Sequence, residues 1–395
     1  MDPLLPVAEA QARLFALAPR VAAERLPLAQ AAGRWTAEPV IARRAQPGAD
    51  LSSMDGYAIR FADLPGPWRV IGESAAGRGF GGVIERGEAV RIFTGAAMPA
   101  GADSVLVQEE AKRDGDALVL AGEGPPRRGM SVRRKGLDFD RGAVLTGAGT
   151  RLTPAAIALA ATGGHGALSV NRRLRIAILA TGDELIAPGT ASDDPLALPE
   201  GNSAMLAAML ADLPVDLTVM GIAPDRLDAL VAAFGGVQAD IVVTTGGASV
   251  GDHDLVRPAI EAAGGTINFW RIAIRPGKPM LAGRLGDALV LGLPGNPVSA
   301  FVTATLFLRP LIAAMAGASD PLPRTLRATL ADPLPANDHR QDYLRATITD
   351  GRVSAAPLQD SSMLVALARA ACLIVRPPHA PPAAAGDPVD ILPLA

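Results

Sequence analysis

Glycine, hydroxyl and carboxylate residues follow four apolar segments in the middle of this chain. The polar stretches occupy residues 181–184, 221–225, 244–254 and 293–299. In an open parallel sheet the carboxyl ends of the strands meet at one edge, and ligands bind there. We therefore predict that the four stretches converge on one binding site. Four such loops at one sheet edge are a far more specific pattern than any one of them alone.

The third stretch has the composition of a phosphate-binding loop. Gly246, Gly247 and Ser249 allow backbone N–H groups to approach an anion, and the start of the following helix would add a positive dipole. The stretch matches neither the Walker A motif nor the GxGxxG pattern, so it predicts neither ATP nor NAD. A tight strand-to-helix turn that needs glycines explains the same residues equally well.

Three carboxylates accompany that loop: Glu184, Asp225 and Asp254. Bare carboxylates would repel a phosphate, whereas Mg²⁺ takes one or two carboxylates together with phosphate oxygens. One interpretation is therefore a magnesium-assisted phosphate site. The alternative for each residue is a helix cap or a first-turn acid. That alternative is strong for Asp225 and weaker for Glu184, which lies next to a strand end.

Segment 271–279 supplies positive charge. Arg271 and Arg275 alternate with apolar residues and would project to one side of a strand. The turn formed by 276–279 would then present Lys278. Such a turn can hold an oxyanion through charge-assisted hydrogen bonds, and the alternative is a solvated hairpin.

The elements that must position these residues alternate between strand and helix over residues 173–318. The pattern predicts strands at 174–180, 215–222, 241–244, 267–274 and 288–293, and helices at 202–210, 225–234, 255–262 and 298–316. Asn202 is expected to cap the first helix. Strands that are apolar on both faces imply a parallel sheet covered by helices. Short strands split by Gly and Pro predict a β-rich module before this domain and a β domain after Gly317.

Composition excludes several classes of function. One Cys and four scattered His leave no intrachain disulfide and no Cys/His zinc site. A formal net charge of −3 provides no global basic field, so neither nucleic acid nor a membrane is an expected partner. The apolar run 298–308 ends at Arg309-Pro310 and is too short to span a bilayer. Because the N-terminal residues also lack the form of a signal peptide, we expect a cytoplasmic protein.

Seven stretches, in this order, resemble the MoeA family of molybdopterin molybdenumtransferases, also called molybdenum insertases. They are SSMDGYA (52–58), TGAAMPAGAD (94–103), RRKGLDF (133–139), ATGDEL (180–185), TTGGASVGDHD (244–254), RPGKP (275–279) and LPGNPVSA (293–300). By spacing alone, the first three stretches carry no chemistry.

The resemblance implies a multidomain α/β-plus-β fold and an elongated homodimer. The implied domains are a linking domain (1–44 and 142–172), an inserted β-rich domain (45–141), a parallel-sheet, molybdopterin-binding α/β domain (173–318) and a C-terminal β-barrel-like domain (319–395). The implied reaction places molybdenum from molybdate on the dithiolene sulfurs of adenylylated molybdopterin, with Mg²⁺, and releases AMP. A molybdopterin adenylyltransferase and molybdoenzyme-maturation proteins are further candidate partners.

The resemblance also implies roles for individual residues. The residues expected to contact the pterin substrate are Thr181, Gly182, Gly246, Gly247, Ser249, Pro294 and Pro297. The catalytic and Mg²⁺-supporting carboxylates are Glu184, Asp225 and Asp254. The partner subunit is expected to contribute catalytic Asp55 and the substrate-binding residues Thr94 and Asp138. The molybdate-binding residues are Arg275, Lys278, Ser299, Arg345 and Ser361.

Two other functions compete with this one. The first is a molybdopterin-binding scaffold or carrier without turnover, against which the retained Asp55, Glu184, Asp254 and Lys278 argue. The second is an adenylyltransferase of the Mog type, which shares only the α/β domain and would lack both extra β modules. This chain also departs from many relatives, which have Lys where Arg271 and Arg275 stand; Arg keeps the charge but changes the donor geometry.

Overall fold

Residues 4–246 and 255–394 are described by a computed structural model. The first half of the chain is built from short strands. In chain order it contains α1 (Val7–Leu17), β1 (Ala23–Pro27), α2 (Leu28–Ala31), β2 (Val40–Ile41), β3 (Leu51–Ser52), β4 (Gly56–Ile59), β5 (Trp68–Ser74), β6 (Glu88–Ile92), β7 (Ser104–Val107), β8 (Ala111–Asp114), β9 (Ala117–Leu120), β10 (Val132–Arg133), β11 (Val144–Thr146), α3 (Pro154–Thr162) and β12 (Ala167–Asn171).

These elements form two modules, one inserted into the other. β1 pairs antiparallel with β12, and β2 pairs antiparallel with β11, so chain segments on both sides of the insertion share one small module. The insertion carries a six-stranded sheet in the order β7-β4-β6-β5-β9-β8. Pairing of the flanking segments therefore fixes where the insertion leaves and re-enters the small module.

The middle of the chain is an α/β domain. Its elements are β13 (Leu174–Thr181), β14 (Leu185–Ile186), β15 (Leu198–Pro199), α4 (Asn202–Leu210), β16 (Val215–Ala223), α5 (Leu227–Gly235), β17 (Ile241–Thr245), α6 (Val256–Ala262), β18 (Thr266–Arg271), β19 (Ile274–Arg275), β20 (Pro279–Leu285), β21 (Ala288–Leu293), α7 (Pro297–Thr303) and α8 (Arg309–Met315). Every residue of β17 and β21 is buried, as expected of strands covered on both faces.

The sheet of this domain is parallel in its first four strands and antiparallel at one edge. Its order is β16-β13-β17-β21-β20-β18. The pairs among β16, β13, β17 and β21 are parallel, which confirms the predicted parallel sheet, whereas β20 runs antiparallel to both β21 and β18. The sequence did not predict β20. A turn at Gly286, with φ +56°, joins β20 directly to β21, and such a short hairpin can link only antiparallel strands.

Helices cover both faces of the sheet. α5 and α6 pack on one face around Leu230, Phe234 and Ile260, while α4, α7 and α8 lie against the other. α1 joins this second core through Val7, Ala10 and Leu14, although the small module follows it in the chain. The start of the chain is therefore part of the α/β domain's packing.

The helix that follows β21 continues beyond the apolar run 298–308, as the predicted helix at 298–316 does. A π-helical segment, Ala304–Leu308, joins α7 to α8, so the helix continues past Arg309-Pro310. Pro310 has no N–H for the carbonyl oxygen of Leu306, and that oxygen accepts a hydrogen bond from Gln11 Nε2 at 2.8 Å. In the described part of the chain, Pro297–Met315 is the one helix whose length and composition would suffice to cross a bilayer, and most of it is buried inside the protein.

The C-terminal region is a closed barrel. Its elements are β22 (Leu326–Leu330), β23 (Gln341–Thr349), β24 (Arg352–Ala355), α9 (Leu364–Ala368), β25 (Cys372–Arg376) and β26 (Pro388–Pro393). The order β23-β24-β22-β26-β25 closes through a β23–β25 pairing, and β19 of the α/β domain pairs in parallel with β23. The predicted combination of an α/β domain, a β-rich insertion and a barrel-like C-terminal domain is confirmed.

Candidate functional site

A cavity of about 810 Å³ lies at the carboxyl ends of the parallel strands β13, β16, β17 and β21. The barrel loop 359–364 forms its opposite wall. The cavity brings together many predicted site residues: Thr181, Gly182, Glu184, Asp225, Gly246, Arg275, Lys278, Pro294, Pro297, Ser299 and Ser361. Gly247, Ser249 and Asp254 lie outside the described residues.

Glycines allow the loops at the sheet edge to pack without space between them. Gly246 has φ +91°, and a Cβ there would lie 2.2 Å from the carbonyl oxygen of Thr181. A Cβ at Gly295 would in turn lie 3.5 Å from the Cα of Gly246. The loops after β13, β17 and β21 therefore contact one another through backbone. No larger residue fits at Gly246 without moving the Thr181 loop.

Asp225 is fixed by the neighbouring strand end, and its carboxylate does not cap a helix. Thr181 Oγ1 donates a hydrogen bond to Asp225 Oδ1, and the Asp225 backbone N–H donates to Asp183 Oδ1 at 3.0 Å. α5 begins two residues later, at Leu227, with no side-chain cap bond. The strong expectation of a cap at Asp225 was therefore wrong, because the Thr181 hydroxyl engages that carboxylate from β13.

Glu184 lies in the same cavity as Asp225. Its carboxylate rests against Gly182, where a Cβ would meet Glu184 Oε2 at 2.7 Å. Across residues 4–246 and 255–394, no group of three His, Cys, Asp or Glu side chains is placed to hold a metal. Two of the three predicted Mg²⁺ residues thus share the cavity, and the third, Asp254, is not described.

Asn202 is a site residue that sequence reasoning missed. It was expected to cap α4, but its Nδ2 donates to Thr245 Oγ1 and to the Gly295 carbonyl oxygen, both at 2.7 Å. The buried Glu200 accepts the Ser203 N–H at 2.9 Å in place of that cap. Asn202 therefore ties the loops after β17 and β21 together at the cavity wall. The sequence signal that could have identified Asn202 was an amide side chain in the first helical turn after a polar loop.

The two predicted oxyanion-binding cations have different surroundings. Arg275 Nε donates to Asp342 Oδ1 at 2.8 Å, Nη2 donates to Asp342 Oδ2, and Nη1 lies 3.5 Å from Asp338 Oδ2. These hydrogen bonds and charges raise the pKa of the Arg275 guanidinium. Lys278 lines the cavity, is exposed, and makes no ion pair with any described residue. One cation is compensated and the other is not.

The barrel wall is held by a buried arginine. Arg345 is only 1 % exposed and does not line the cavity. Its guanidinium donates to the carbonyl oxygens of Leu358 and Met363 and to Gln359 Oε1. Arg345 therefore shapes loop 359–364 from behind, and its donors are already used by that loop.

The same loop is fastened to the α/β domain. Asn296 Nδ2 donates to Ser361 Oγ at 2.9 Å, and the Val298 N–H donates to the Ser361 carbonyl oxygen at 3.1 Å. Ser361 thus bridges the barrel and the start of α7. The cavity is formed between two domains that these bonds hold in register.

Asp55, Thr94 and Asp138 do not line this cavity within one chain. Asp55 Oδ1 accepts the Thr94 backbone N–H at 2.8 Å and the Thr94 hydroxyl at 2.9 Å, and these bonds lower the pKa of Asp55. Arg91 donates to the Gly56 carbonyl oxygen and lies over the rings of Tyr57 and Phe93. The motif around Asp55 is therefore an ordered cluster with an ionised carboxylate on the β-rich insertion.

Comparison with protein families gives three matches along the chain. A model described as the MoeA N-terminal region (domain I and II) matches residues 5–164. A model described as a probable molybdopterin binding domain matches residues 177–314. A model described as the MoeA C-terminal region (domain IV) matches residues 327–394. The three together account for nearly the whole chain.

Individual relatives agree with these matches. A molybdopterin molybdenumtransferase of Haemophilus influenzae is 38 % identical over 298 residues, which cover 74 % of this chain and 73 % of the relative. Another from Nostoc sp. is 32 % identical over 389 residues, covering 92 % and 88 %. The crystal structure of a molybdopterin biosynthesis MoeA protein from Pyrococcus horikoshii superposes with a TM-score of 0.83 at 26 % identity, covering 99 % of this chain and all of that one.

Proposed function

We propose a function from one premise: this chain belongs to the MoeA family, whose curated members are named molybdopterin molybdenumtransferases. The proposed activity is the insertion of molybdenum from molybdate into adenylylated molybdopterin, with release of AMP. Family membership supports a role in molybdenum cofactor biosynthesis, and the features of the cavity support the more detailed reaction.

One observation carries the detailed proposal: a single cavity contains a cation without an ion pair to any described residue, two carboxylates and a closely packed glycine loop. Lys278 provides charge for an oxyanion, and the backbone around Gly246 can approach a phosphate. Glu184 and Asp225 lie in the same space. A substrate that carries both phosphates and a metal oxyanion uses all of these groups at once.

The proposed step balances without a redox reagent. Two thiols of the dithiolene replace one oxygen of molybdate, which leaves as water, and two Mo–S bonds form. Hydrolysis of the pyrophosphate consumes one water, breaks one P–O bond and releases AMP. The protein contributes no sulfur ligand, which agrees with the burial of Cys372, its single cysteine.

Mg²⁺ would be held by Glu184 and Asp225, and Asp254 is the third carboxylate that the resemblance implies. Their oxygens are the ligand type that Mg²⁺ prefers, and Asp225 is already fixed in place by Thr181. When bound, the ion would neutralise negative charge on the phosphates during cleavage. The remaining contribution of the chain is to orient the pyrophosphate against the glycine loops and the oxyanion against Lys278.

A complete site is proposed to need a second copy of the chain. The resemblance assigns Asp55, Thr94 and Asp138 to the active site, yet they do not line the cavity of their own subunit. A homodimer that places the β-rich insertion of one subunit over the cavity of the other would supply them.

The test is AMP release by the purified chain given adenylylated molybdopterin, molybdate and Mg²⁺. We expect AMP and molybdenum cofactor in equal amounts, and loss of both in Glu184→Ala, because that carboxylate lies in the cavity proposed to bind the phosphates. The matched control is Glu261→Ala, an acid on the outer surface of α6 in an exposed ion pair with Arg257. Tight binding of the pterin without AMP release would instead identify a carrier. Consumption of ATP in the presence of free molybdopterin would identify an adenylyltransferase.

A further inference from the structure

We propose that Asp342 holds Arg275 in a structural clamp between two domains, so that Lys278 is the cation that receives the oxyanion. The inference rests on the proposed function, and it changes the role that the RPGKP motif implies for its arginine. Arg275 becomes a positioning residue. Asp342, in the barrel, pairs with Arg275 and so leaves Lys278 as the cation available to a ligand in the cavity.

The clamp uses most of the donors of Arg275. Nε and Nη2 form a bidentate pair with the two carboxylate oxygens of Asp342, and Nη2 also donates to Asn337 Oδ1 at 3.1 Å. Nη1 faces Asp338 Oδ2 at 3.5 Å. Two carboxylates and one amide thus surround the guanidinium, which leaves little of its charge for a ligand in the cavity.

Burial of Asp342 makes the clamp costly to open. The Asp342 side chain is 6 % exposed, while that of Arg275 is 45 % exposed. If Arg275 turned toward an oxyanion, it would leave a buried carboxylate without its partner, which is strongly unfavourable. The pairing of Ile274 and Arg275 with Gln341 and Asp342 fixes the same contact through the backbone.

The acceptors around position 275 match an arginine better than a lysine. The planar guanidinium forms two parallel bonds with Asp342 and reaches Asn337 at the same time, whereas a lysine ammonium is a point charge that cannot form that bidentate pair. Arg275 in place of the lysine of many relatives therefore matches the Asp342 and Asn337 acceptors. In this chain the motif arginine thus serves as an interdomain clamp.

The clamp also positions Lys278. The turn after Arg275 is held on its other side by Gly277, where φ is +111° and a Cβ would lie 2.6 Å from Thr303 Cγ2 of α7. Arg275 fastens one end of this turn to the barrel, and Gly277 packs its middle against the α/β domain. Lys278 is thereby directed to the cavity wall that both domains form.

The experiment measures molybdate affinity on the full-length chain by equilibrium dialysis at fixed ionic strength, with bound molybdenum quantified by elemental analysis. The variants are Lys278→Ala, Arg275→Gln, Asp342→Asn and the double variant Arg275→Gln/Asp342→Asn. The matched control is Arg340→Gln. It removes a cation that pairs with Asp338, a carboxylate that also faces Arg275, and it leaves the cavity wall unaltered. Thermal unfolding reports whether each variant is folded.

The clamp predicts a distinct pattern of dissociation constants. Lys278→Ala should raise the Kd for molybdate about tenfold or more, since a charge-assisted bond is lost. Arg275→Gln should change it by less than about threefold, because the backbone pairing of β19 with β23 and the packing of Gly277 still hold the turn that carries Lys278. Arg340→Gln should change it by less than about twofold. Asp342→Asn should lower the Kd about three- to tenfold, because it frees the charge of Arg275, and the double variant should lose that gain.

Two results would overturn the clamp. One is an Arg275→Gln variant that weakens molybdate binding as much as Lys278→Ala does, and the other is a folded Asp342→Asn variant with unchanged affinity. If Asp342→Asn does not fold, the comparison of Arg275→Gln with Lys278→Ala decides alone. Because dialysis needs no turnover, the expected pattern without AMP release would uphold the clamp while rejecting the proposed reaction.

Discussion

At the scale of single residues, Gly246 decides whether the loops of the site can pack. Its backbone has φ +91°, which L-residues adopt at a cost of about 1–2 kcal/mol, and the Thr181 carbonyl oxygen occupies the position of a Cβ. The side-chain hydroxyl of Thr181 donates the hydrogen bond that fixes Asp225. A substitution at Gly246 that displaces Thr181 should therefore also displace the Asp225 carboxylate.

We predict that Gly246→Ala will abolish AMP release and lower the free energy of unfolding by more than about 3 kcal/mol, since it adds a backbone clash to the conformational cost. Gly264→Ala is the control, because Gly264 has φ +84° and open space at its Cβ. That variant should lose only about 1 kcal/mol and keep its activity. Chemical unfolding and the AMP assay check both, and equal losses in the two variants would contradict the prediction.

At the scale of elements, Asp240 joins the sheet of the α/β domain to the small module. It precedes β17 and accepts two bonds from Arg172, which follows β12, at 2.7 and 2.8 Å, and one from the Arg175 N–H of β13 at 2.8 Å. Burial opposes ionisation of Asp240, but the Arg172 and Arg175 bonds outweigh it and lower its pKa to about 2. The ionised carboxylate therefore stabilises the junction.

We predict that Asp240→Asn will lower the free energy of unfolding by about 1–2 kcal/mol at pH 7, after discounting for solvent screening. Because the folded pKa lies below the unfolded value, the contribution is present above about pH 4 and is lost as pH falls through about 2. The difference between variant and wild type should shrink over that range. Asp216→Asn, at an exposed pair with Arg173, should cost less than about 0.5 kcal/mol at every pH. A pH-independent loss in Asp240→Asn would refute the argument.

At the scale of the whole molecule, the candidate catalytic groups of one chain are divided between two places. Glu184 and Lys278 line the cavity, whereas Asp55 and Thr94 form an ordered pair on the β-rich insertion. In a closed two-fold dimer each subunit can lend the same surface to its partner. A composite active site follows if the insertion of one subunit faces the cavity of the other.

We predict complementation between two inactive variants. Asp55→Ala and Glu184→Ala should each be inactive, yet a co-refolded equimolar mixture should recover about one quarter of wild-type AMP release, since half of the dimers are mixed and each mixed dimer keeps one intact site. A mixture of Glu184→Ala with Asp225→Ala supplies the control, because both changes fall in the same cavity and no site is restored. Recovery in the control, or none in the test mixture, would contradict a shared site.

The sequence alone predicted the elements whose hydrophobic pattern is continuous. The strand predicted at 174–180 is observed as Leu174–Thr181, and the helix predicted at 298–316 spans Pro297–Met315. The strand predicted at 267–274 was wrong in extent, because Ile274 and Arg275 leave the sheet to pair with the barrel. β20 was missed altogether. The end at Ile274 depends on pairing with the distant β23, and β20 is defined by its hairpin with β21 and not by a continuous apolar run, so local periodicity encodes neither.

By itself the sequence determined the chemistry available to this protein: glycine loops, three carboxylates and a cationic turn after successive strands, with no set of Cys and His ligands. Only the tertiary structure decided which of these groups are free to act. Arg275 is compensated by Asp342, 67 positions away, and Arg345 is buried behind the cavity wall, while Lys278 is uncompensated within the described residues. Charge type is a property of the residue, but compensation and burial are properties of its neighbours in the fold.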